Sequence, residues 1–182
     1  MSAYQGMRWF KCDLHLHTPA DSKYWVGDPM TPGQEPRAAR EFAEACCHEG
    51  LEVIGITDHQ FLSKDFIPYL KDAFDEIEKT RGHRVTVFPG FEFETDVGKG
   101  ILVLCLFAPD TNLDHIDHML TECGVGMPRI QNGQPVKSNK RLSDILGIVQ
   151  KQSHQGGWGG VVIIPHIFEN SLFDNDRLRN CP

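Results

Sequence analysis

The stretch LEVIGITDH, residues 51–59, sets the pattern from which the fold of this chain can be worked out. Its apolar and β-branched residues are typical of a buried strand, and the polar pair Asp58-His59 follows where the apolar run stops. A strand that is apolar on both faces is expected in a parallel sheet covered by helices. Because functional groups gather at the carboxyl ends of such strands, residues 51–59 predict both a fold class and the place of a site.

Outward from this stretch, apolar strand patterns alternate with amphipathic helix patterns. Strands are predicted at residues 9–16, 51–57, 84–88, 101–107 and 161–165. Helices are predicted at residues 37–49, 63–80, 112–122 and 140–154, and residues 124–138 are predicted to be a loop. Ser63 is the expected N-cap of the second helix, and Pro89-Gly90 is expected to stop the third strand. This alternation predicts an α/β fold with a parallel sheet or barrel, open or incomplete because about five strands are too few to close a barrel.

Length and composition predict one domain over residues 1–182, since 182 residues with 40% hydrophobic content suit a single core. The net charge of −7 argues against a plain electrostatic nucleic-acid binder, although bound cations could reverse the charge locally. The six cysteines show no metal-binding or disulfide spacing and are expected to be free thiols. With no signal-peptide run and no apolar stretch long enough for a bilayer, the sequence predicts a cytoplasmic protein without a membrane partner.

The strongest chemical signal is Asp13-Leu14-His15-Leu16-His17. Side chains alternate along a strand, so His15 and His17 are expected on one face together with Asp13. Two imidazoles on one face can bind a single divalent ion. A pair of surface histidines on an edge strand is the alternative for this motif taken alone.

Three further strand ends carry groups that can bind a metal. Asp58 and His59 follow the second strand, Glu92 follows the third within PGFE, and His166 follows the fifth within IPH. Taken singly, each has an ordinary explanation, such as a helix N-cap, a loop residue or an exposed acid. Because the carboxyl ends of parallel strands share one edge, the set predicts a metal site at that edge.

In this order, DLHLHT (13–18), ITDH (56–59), PGFE (89–92) and IPH (164–166) resemble the PHP (polymerase and histidinol phosphatase) superfamily over residues 10–167. The opening RWFKCDLHLHTPAD is also similar to the N-terminal PHP region of large bacterial ATPase-type proteins. The resemblance implies a parallel β/α barrel with a di- or trinuclear metal centre. It implies hydrolysis of phosphomonoesters or phosphodiesters, nuclease activity included.

The resemblance also implies roles for individual residues. His15 and His17 would hold one ion, and Glu92 would bridge it to a second. Asp58 would orient a ligand or the backbone, and Asp58 and Glu92 are the expected catalytic residues. The expected metal ligands are His15, His17, Asp21, His59, Glu92 and His166, of which His166 would bind the second ion and His59 a third. Imidazole and carboxylate ligands favour Zn, Mn or Fe.

Departures from the family pattern leave other interpretations open. Leu102 stands where many members carry a histidine, and no D-x-H motif follows His166. The main alternative is therefore a degenerate module that binds metal or a partner without catalysis, within a larger nucleic-acid-processing or defence system. A second alternative is an amidohydrolase-like enzyme. A sheet edge left bare after the fifth strand favours a truncated domain, a homo-oligomer or a missing downstream domain. The chain lacks a G-x-x-x-x-G-K-[ST] motif, so if ATP is involved, another domain or an ATPase-containing partner is expected to supply its site.

Overall fold

The computed structural model describes residues 7–21, 24–28, 30–96, 100–151 and 158–165. Its strands are β1 (Cys12–Leu16), β2 (Val53–Ile56), β3 (Thr86–Thr95), β4 (Ile101–Leu106), β5 (Ile130–Gln131), β6 (Gln134–Pro135) and β7 (Val161–Ile163). Its helices are α1 (Glu35–His48), α2 (Ile67–Arg81), α3 (Leu113–Glu122) and α4 (Leu142–Gln150). Five strands form one sheet in the order β1-β2-β3-β4-β7, curled like half a barrel, which confirms the predicted mixed α/β class.

The strands are not all parallel, so this part of the prediction is wrong. β1, β2 and β3 run parallel, whereas β4 is antiparallel to β3 and β7 is antiparallel to β4. The short connection from β3 to β4, residues 96–100, is the physical reason, because a parallel crossover needs about a dozen residues. Since β4 has already reversed, β7 points in the same direction as β1, β2 and β3.

Strand β3 continues through Pro89-Gly90, where the sequence predicted a stop. Its first half pairs with β2 as far as Pro89, and its second half pairs with β4 from Gly90 onward. The missing N–H of Pro89 is harmless at this change of partner, while its carbonyl accepts a hydrogen bond from the Phe107 N–H at 2.9 Å. β3 therefore extends beyond the ends of β1 and β2.

Two glycines allow the neighbouring strands and the Leu106 side chain to approach closely at this point. A Cβ on Gly90 would collide with the carbonyl oxygen of Cys105, and a Cβ on Gly55 would lie 2.7 Å from the carbonyl oxygen of Leu14. Each added Cβ would also lie 2.9 Å from Cδ2 of Leu106. The Leu106 side chain thus packs over both glycines on the inner face of the curl.

The outer face of the sheet is covered by helices. Alternate residues of β3 and β4 enter the main core from this face, namely Phe91, Phe93, Val103 and Cys105. Helix α1 packs on α2, and Phe42 of α1 contacts Phe66, the N-cap of α2, edge to face with ring centroids 6.0 Å apart. Leu104 and Leu106 are buried but lie outside this core cluster, so they mark the inner face.

The structure also differs from the sequence prediction within residues 124–138, where β5 and β6 form a short hairpin. Asn132 and Gly133 connect the two strands, both with positive φ (51° and 74°). An Asn-Gly pair in this conformation is the commonest two-residue hairpin turn. The Asn-Gly dipeptide was therefore the signal that could have predicted the hairpin.

Replacing Gly90 tests the close approach of β3 and β4. We expect Gly90→Ala to lower the free energy of unfolding by about 2 kcal/mol or more, because the backbone of β4 must move to admit a methyl group. Urea unfolding followed by circular dichroism measures the effect. Gly147→Ala is the matched control: nothing lies within 4 Å of a Cβ added in α4, and the change should stabilise the helix by about 0.5–1 kcal/mol. Equal stability of the Gly90 variant and the wild type would contradict the steric argument.

Candidate metal centre

The site forms where β1 and β2 end and β3 continues. His15 lies in β1 and His17 follows it, while Asp58 and His59 follow β2. An isolated parallel bridge pairs His59 with Glu92, so Glu92 lies level with the residues that leave β2. The predicted convergence at the carboxyl edge of β1 and β2 is therefore present in the described residues.

His15, His17 and Glu92 converge on one point. His15 Nε2 lies 3.3 Å from Glu92 Oε1, and His17 Nε2 lies 3.4 Å from Glu92 Oε2. These three side chains form one of the two groups in the described residues whose donor atoms could surround an ion. Two donors about 2.0–2.1 Å from one ion at a tetrahedral angle are about 3.3–3.4 Å apart, so the observed spacings match those of a ligand set.

The Glu92 carboxylate shows why a cation fits between these groups. Glu92 is only 3% exposed. Its Oε1 accepts no hydrogen bond from the described residues, although His15 lies at ion-pair distance. A buried carboxylate oxygen without a hydrogen bond carries a large desolvation cost. A divalent ion at this position would remove that cost. The carboxylate oxygen and the imidazole nitrogens are donors that suit such an ion chemically.

Asp21 orients His17 rather than facing Glu92. His17 Nδ1 donates to Asp21 Oδ2 at 3.1 Å, which leaves Nε2 directed at Glu92. A carboxylate on the second nitrogen of a ligand histidine fixes its tautomer and raises its basicity. The main-chain N–H of His59 also donates to Asp21 Oδ2, at 2.9 Å. Asp21 thus ties the segment after β1 to the segment after β2.

Protonation directions agree with this arrangement. Burial lowers the pKa of His17, but the hydrogen bond to Asp21 and the charge of Glu92 raise it by more, so the net pKa lies above its ordinary value. Burial raises the pKa of Asp21, yet hydrogen bonds from His17, His59 and Tyr24 hold it below its ordinary value. Without an ion, the raised pKa of His17 favours its protonated form beside these carboxylates, and a metal would take the place of that proton.

Asp58 is a fully buried anchor for the segment that carries His17. Its Oδ1 accepts from the Thr18 N–H at 2.6 Å, and its Oδ2 accepts from the Thr18 hydroxyl at 2.8 Å and from the Ser63 hydroxyl. Burial raises the pKa of Asp58 in spite of these hydrogen bonds. Although Asp58 forms the second group of potential ligands with His17 and Asp21, both its oxygens are already occupied.

The N-cap prediction for Ser63 is wrong, and the hydrogen bond to Asp58 explains why. Helix α2 begins at Ile67 with Phe66 as its N-cap and a proline in its first turn. Because the Ser63 hydroxyl donates to Asp58, it does not cap the helix. Ser63 and Thr18 are thus parts of the site that sequence reasoning missed, since hydroxyls without a metal-ligand pattern give no signal.

His59 lies beside the metal-binding group but belongs to neither set of converging donor atoms. Its ring stacks on Tyr24, with ring centroids 4.3 Å apart, and Tyr24 also stacks towards His17 at 5.7 Å. The role of His59 as ligand of a third ion stays a prediction. Tyr24 was missed as well, because it lies in an irregular loop whose path the sequence pattern does not indicate.

Asp13 belongs to neither group of converging donor atoms, contrary to the expectation from simple alternation. It lines a groove beside α1 with Leu16, His17 and Cys46, and its carboxylate accepts a hydrogen bond from the His15 N–H at 3.1 Å. The register of β1 against β2 shifts between Asp13 and Leu16. One extra residue in β1 breaks the period of two on which the prediction relied.

The neighbours of Glu92 on β4 are apolar. Leu104 lies directly opposite Glu92, and Leu102 lies opposite Glu94. The residue beside Glu92 on the inner face is therefore Leu104 rather than Leu102. The sixth predicted ligand, His166, lies outside the described residues, and so does Cys181; the five described cysteines are free thiols.

No protein-family model matches this chain, and no curated protein is found to be significantly similar to it. Among the described residues, none of the helices combines the length and apolar character needed to cross a bilayer.

Glu92→Gln tests whether the carboxylate charge binds an ion. The variant keeps the side-chain shape, and we expect its Zn²⁺ affinity to fall by more than the roughly 10- to 100-fold typical of an outer-shell partner. Calorimetric titration of metal-depleted protein measures this. Glu122→Gln, on the exposed end of α3, is the control and should bind as the wild type does. Unchanged affinity in the Glu92 variant would rule out its role as a ligand.

Asp21→Asn distinguishes an orienting residue from a direct ligand. Because Asp21 contacts His17 through Nδ1, we expect a loss of Zn²⁺ affinity of about 10- to 100-fold, smaller than for Glu92→Gln. The same titration measures it, with Asp144→Asn, an exposed acid of α4, as control. A loss as large as that of the Glu92 variant would instead make Asp21 a ligand.

Proposed function

We propose that this chain is a metal-dependent phosphoesterase related to the PHP superfamily. The observation that carries the proposal is the convergence of His15, His17 and Glu92 at the carboxyl edge of parallel strands, where Nε2 of each histidine lies 3.3–3.4 Å from a carboxylate oxygen of Glu92. In α/β proteins this edge is the usual place of active sites. The order of the four sequence motifs supports the family and, with it, a barrel-like architecture.

In this proposal His15 Nε2, His17 Nε2 and the Glu92 carboxylate hold a Zn, Mn or Fe ion. The bound ion would supply a Lewis acid and neutralise charge on the phosphoryl oxygens. Asp21 keeps the proton of His17 on Nδ1, and Asp58 fixes the backbone after His17 through Thr18. The side chains of His15 and His17 are 25% and 21% exposed, so a substrate can approach from the solvent side.

The charge of the site supports a cation-dependent reaction. Asp21, Asp58 and Glu92 lie at the centre, and a phosphate ester would be repelled by them without a bound cation. Lys64 and Arg129 are paired with acids of α3: Lys64 Nζ lies 3.0 Å from Asp114 Oδ1, and Arg129 Nη2 lies 2.6 Å from Asp117 Oδ1. A bound cation would supply positive charge for the substrate at this acidic site.

The alternative is a module that binds metal without turnover and acts within a larger nucleic-acid-processing or defence assembly. Leu104 favours it, because an apolar residue stands where β4 could otherwise have offered a further ligand beside Glu92. The two functions share the metal site and differ in hydrolysis.

A combined metal and hydrolysis experiment tests the proposal. Metal-depleted protein is reloaded with Zn²⁺, Mn²⁺ or Fe²⁺ and assayed on p-nitrophenyl phosphate and bis-p-nitrophenyl phosphate, with and without chelator. We expect the wild type to hydrolyse substrate and the chelator to abolish this turnover. The Glu92→Gln and His17→Ala variants should be inactive, whereas His118→Ala, which replaces an exposed histidine of α3, should keep wild-type turnover.

The other outcomes discriminate between the two candidates. Stoichiometric metal without hydrolysis of either substrate would favour the non-catalytic module. Protein that binds none of the three ions would overturn both. Preference for the monoester or the diester would indicate whether small phosphates or nucleic acid are the better substrate class.

A further inference from the structure

Beyond Gly90, strand β3 has lost β2 as its neighbour, and short irregular segments take the place of β2. The Glu92 N–H donates to the Asp58 carbonyl at 3.0 Å, and the Gln60 N–H donates to the Glu92 carbonyl at 2.6 Å. Residues on both sides of His59 therefore bind the two main-chain polar groups of Glu92. The position of the Glu92 carboxylate depends on this pairing.

Gln60 has an unusual backbone for its residue type. It adopts a left-handed conformation with φ of 65°, shared among the described non-glycine residues only by Asn132. Glycine and asparagine usually occupy this region, because a Cβ crowds the backbone there. Gln60 is also buried, with 3% of its surface exposed. A buried glutamine at this position must be explained by what its side chain does.

The Gln60 side chain connects two segments along the same edge of β3. Its Nε2 donates to the Val136 carbonyl at 2.8 Å. Two residues later, the Ser138 N–H donates to the Glu94 carbonyl at 2.8 Å, and the Asp96 N–H donates to the Ser138 carbonyl at 2.7 Å. Gln60 thus joins the segment that follows β2 to the segment that binds the end of β3.

We propose that Gln60 is a positioning residue of the metal centre. Its left-handed backbone places its N–H on Glu92, and its amide fastens that segment to Val136, so the Glu92 carboxylate stays directed at His15 and His17. Gln60 acts through the main chain of Glu92 and does not touch the ion. The inference rests on the proposed metal centre and adds to it a residue that no ligand pattern identifies.

Two substitutions separate the backbone from the amide. Gln60→Gly eases the left-handed conformation and removes the amide, whereas Gln60→Met keeps the side-chain length and removes the amide, and with it the hydrogen bond to Val136, without easing the backbone. Asn132→Gly is the matched control, since it eases the same conformation in the exposed turn between β5 and β6. Calorimetric titration with Zn²⁺, the absorption spectrum of bound Co²⁺ and thermal unfolding of metal-free protein are the measurements.

We expect Gln60→Gly to keep or raise the melting temperature of the metal-free protein while its Zn²⁺ affinity falls about tenfold or more. Gln60→Met should lose affinity similarly, and both should alter the Co²⁺ spectrum, which reports ligand geometry. Asn132→Gly should leave affinity and spectrum unchanged.

Wild-type affinity and spectrum in both Gln60 variants would overturn the inference and leave the proposed metal centre intact. Unfolding of both metal-free variants, seen by circular dichroism, would assign Gln60 a purely structural role and also overturn it. Wild-type protein that binds no Zn²⁺ or Co²⁺ would overturn the proposed function and this inference together.

Discussion

A buried carboxylate faced by two imidazoles is the constraint on which the rest of the site depends. Glu92 is almost fully removed from solvent, and a charge in that position must be balanced locally. In the metal-free protein the raised pKa of His17, caused mainly by Asp21 and Glu92 acting against burial, favours an imidazolium that supplies the balance. The same geometry suits an ion because metal and proton compete for His17 Nε2.

The change of partner in β3 brings this carboxylate to the histidines. β1 and β2 end at Leu16 and Ile56, but β3 continues because β4 pairs with its second half. Glu92 therefore lies level with the residues that leave the shorter strands, as the bridge between His59 and Glu92 shows. An all-parallel sheet in which β3 stopped at Pro89 would place Glu92 in a loop without a neighbouring strand to fix it.

The sequence could predict the site better than the topology for a physical reason. Apolar runs mark strands, and a polar residue at the end of a run marks the edge of the sheet, so His17, Asp58 and Glu92 could all be assigned to one edge. Strand direction depends on the connection between strands, and Pro89-Gly90 obscured it because this pair usually ends a strand.

Local hydrogen bonds account for the other differences. The extra residue in β1 breaks the alternation that would have placed Asp13 among the converging donor atoms. The Ser63 hydroxyl donates to the buried carboxylate of Asp58 and therefore does not cap α2. Gln60 and Tyr24 gave no signal, since their roles arise from a left-handed backbone and a ring stack that only the folded chain brings about. Sequence patterns indicate periodicity and composition. The left-handed backbone of Gln60 and the ring stack of Tyr24 depend on neither.

The row of strand residues that runs from Glu92 across the inner face offers no further ligand among the described residues. Leu104 lies opposite Glu92 on one side and opposite Ile163 of β7 on the other, so the row from Glu92 across the sheet is apolar. One ion can be held by His15, His17 and Glu92 alone, whereas a second would need a ligand from beyond this row. Since β7 runs in the direction of β1, β2 and β3, its carboxyl end points to the edge where His17 lies. The reversal of β4 that allowed Glu92 to reach the histidines therefore also directs the last strand of the sheet towards them.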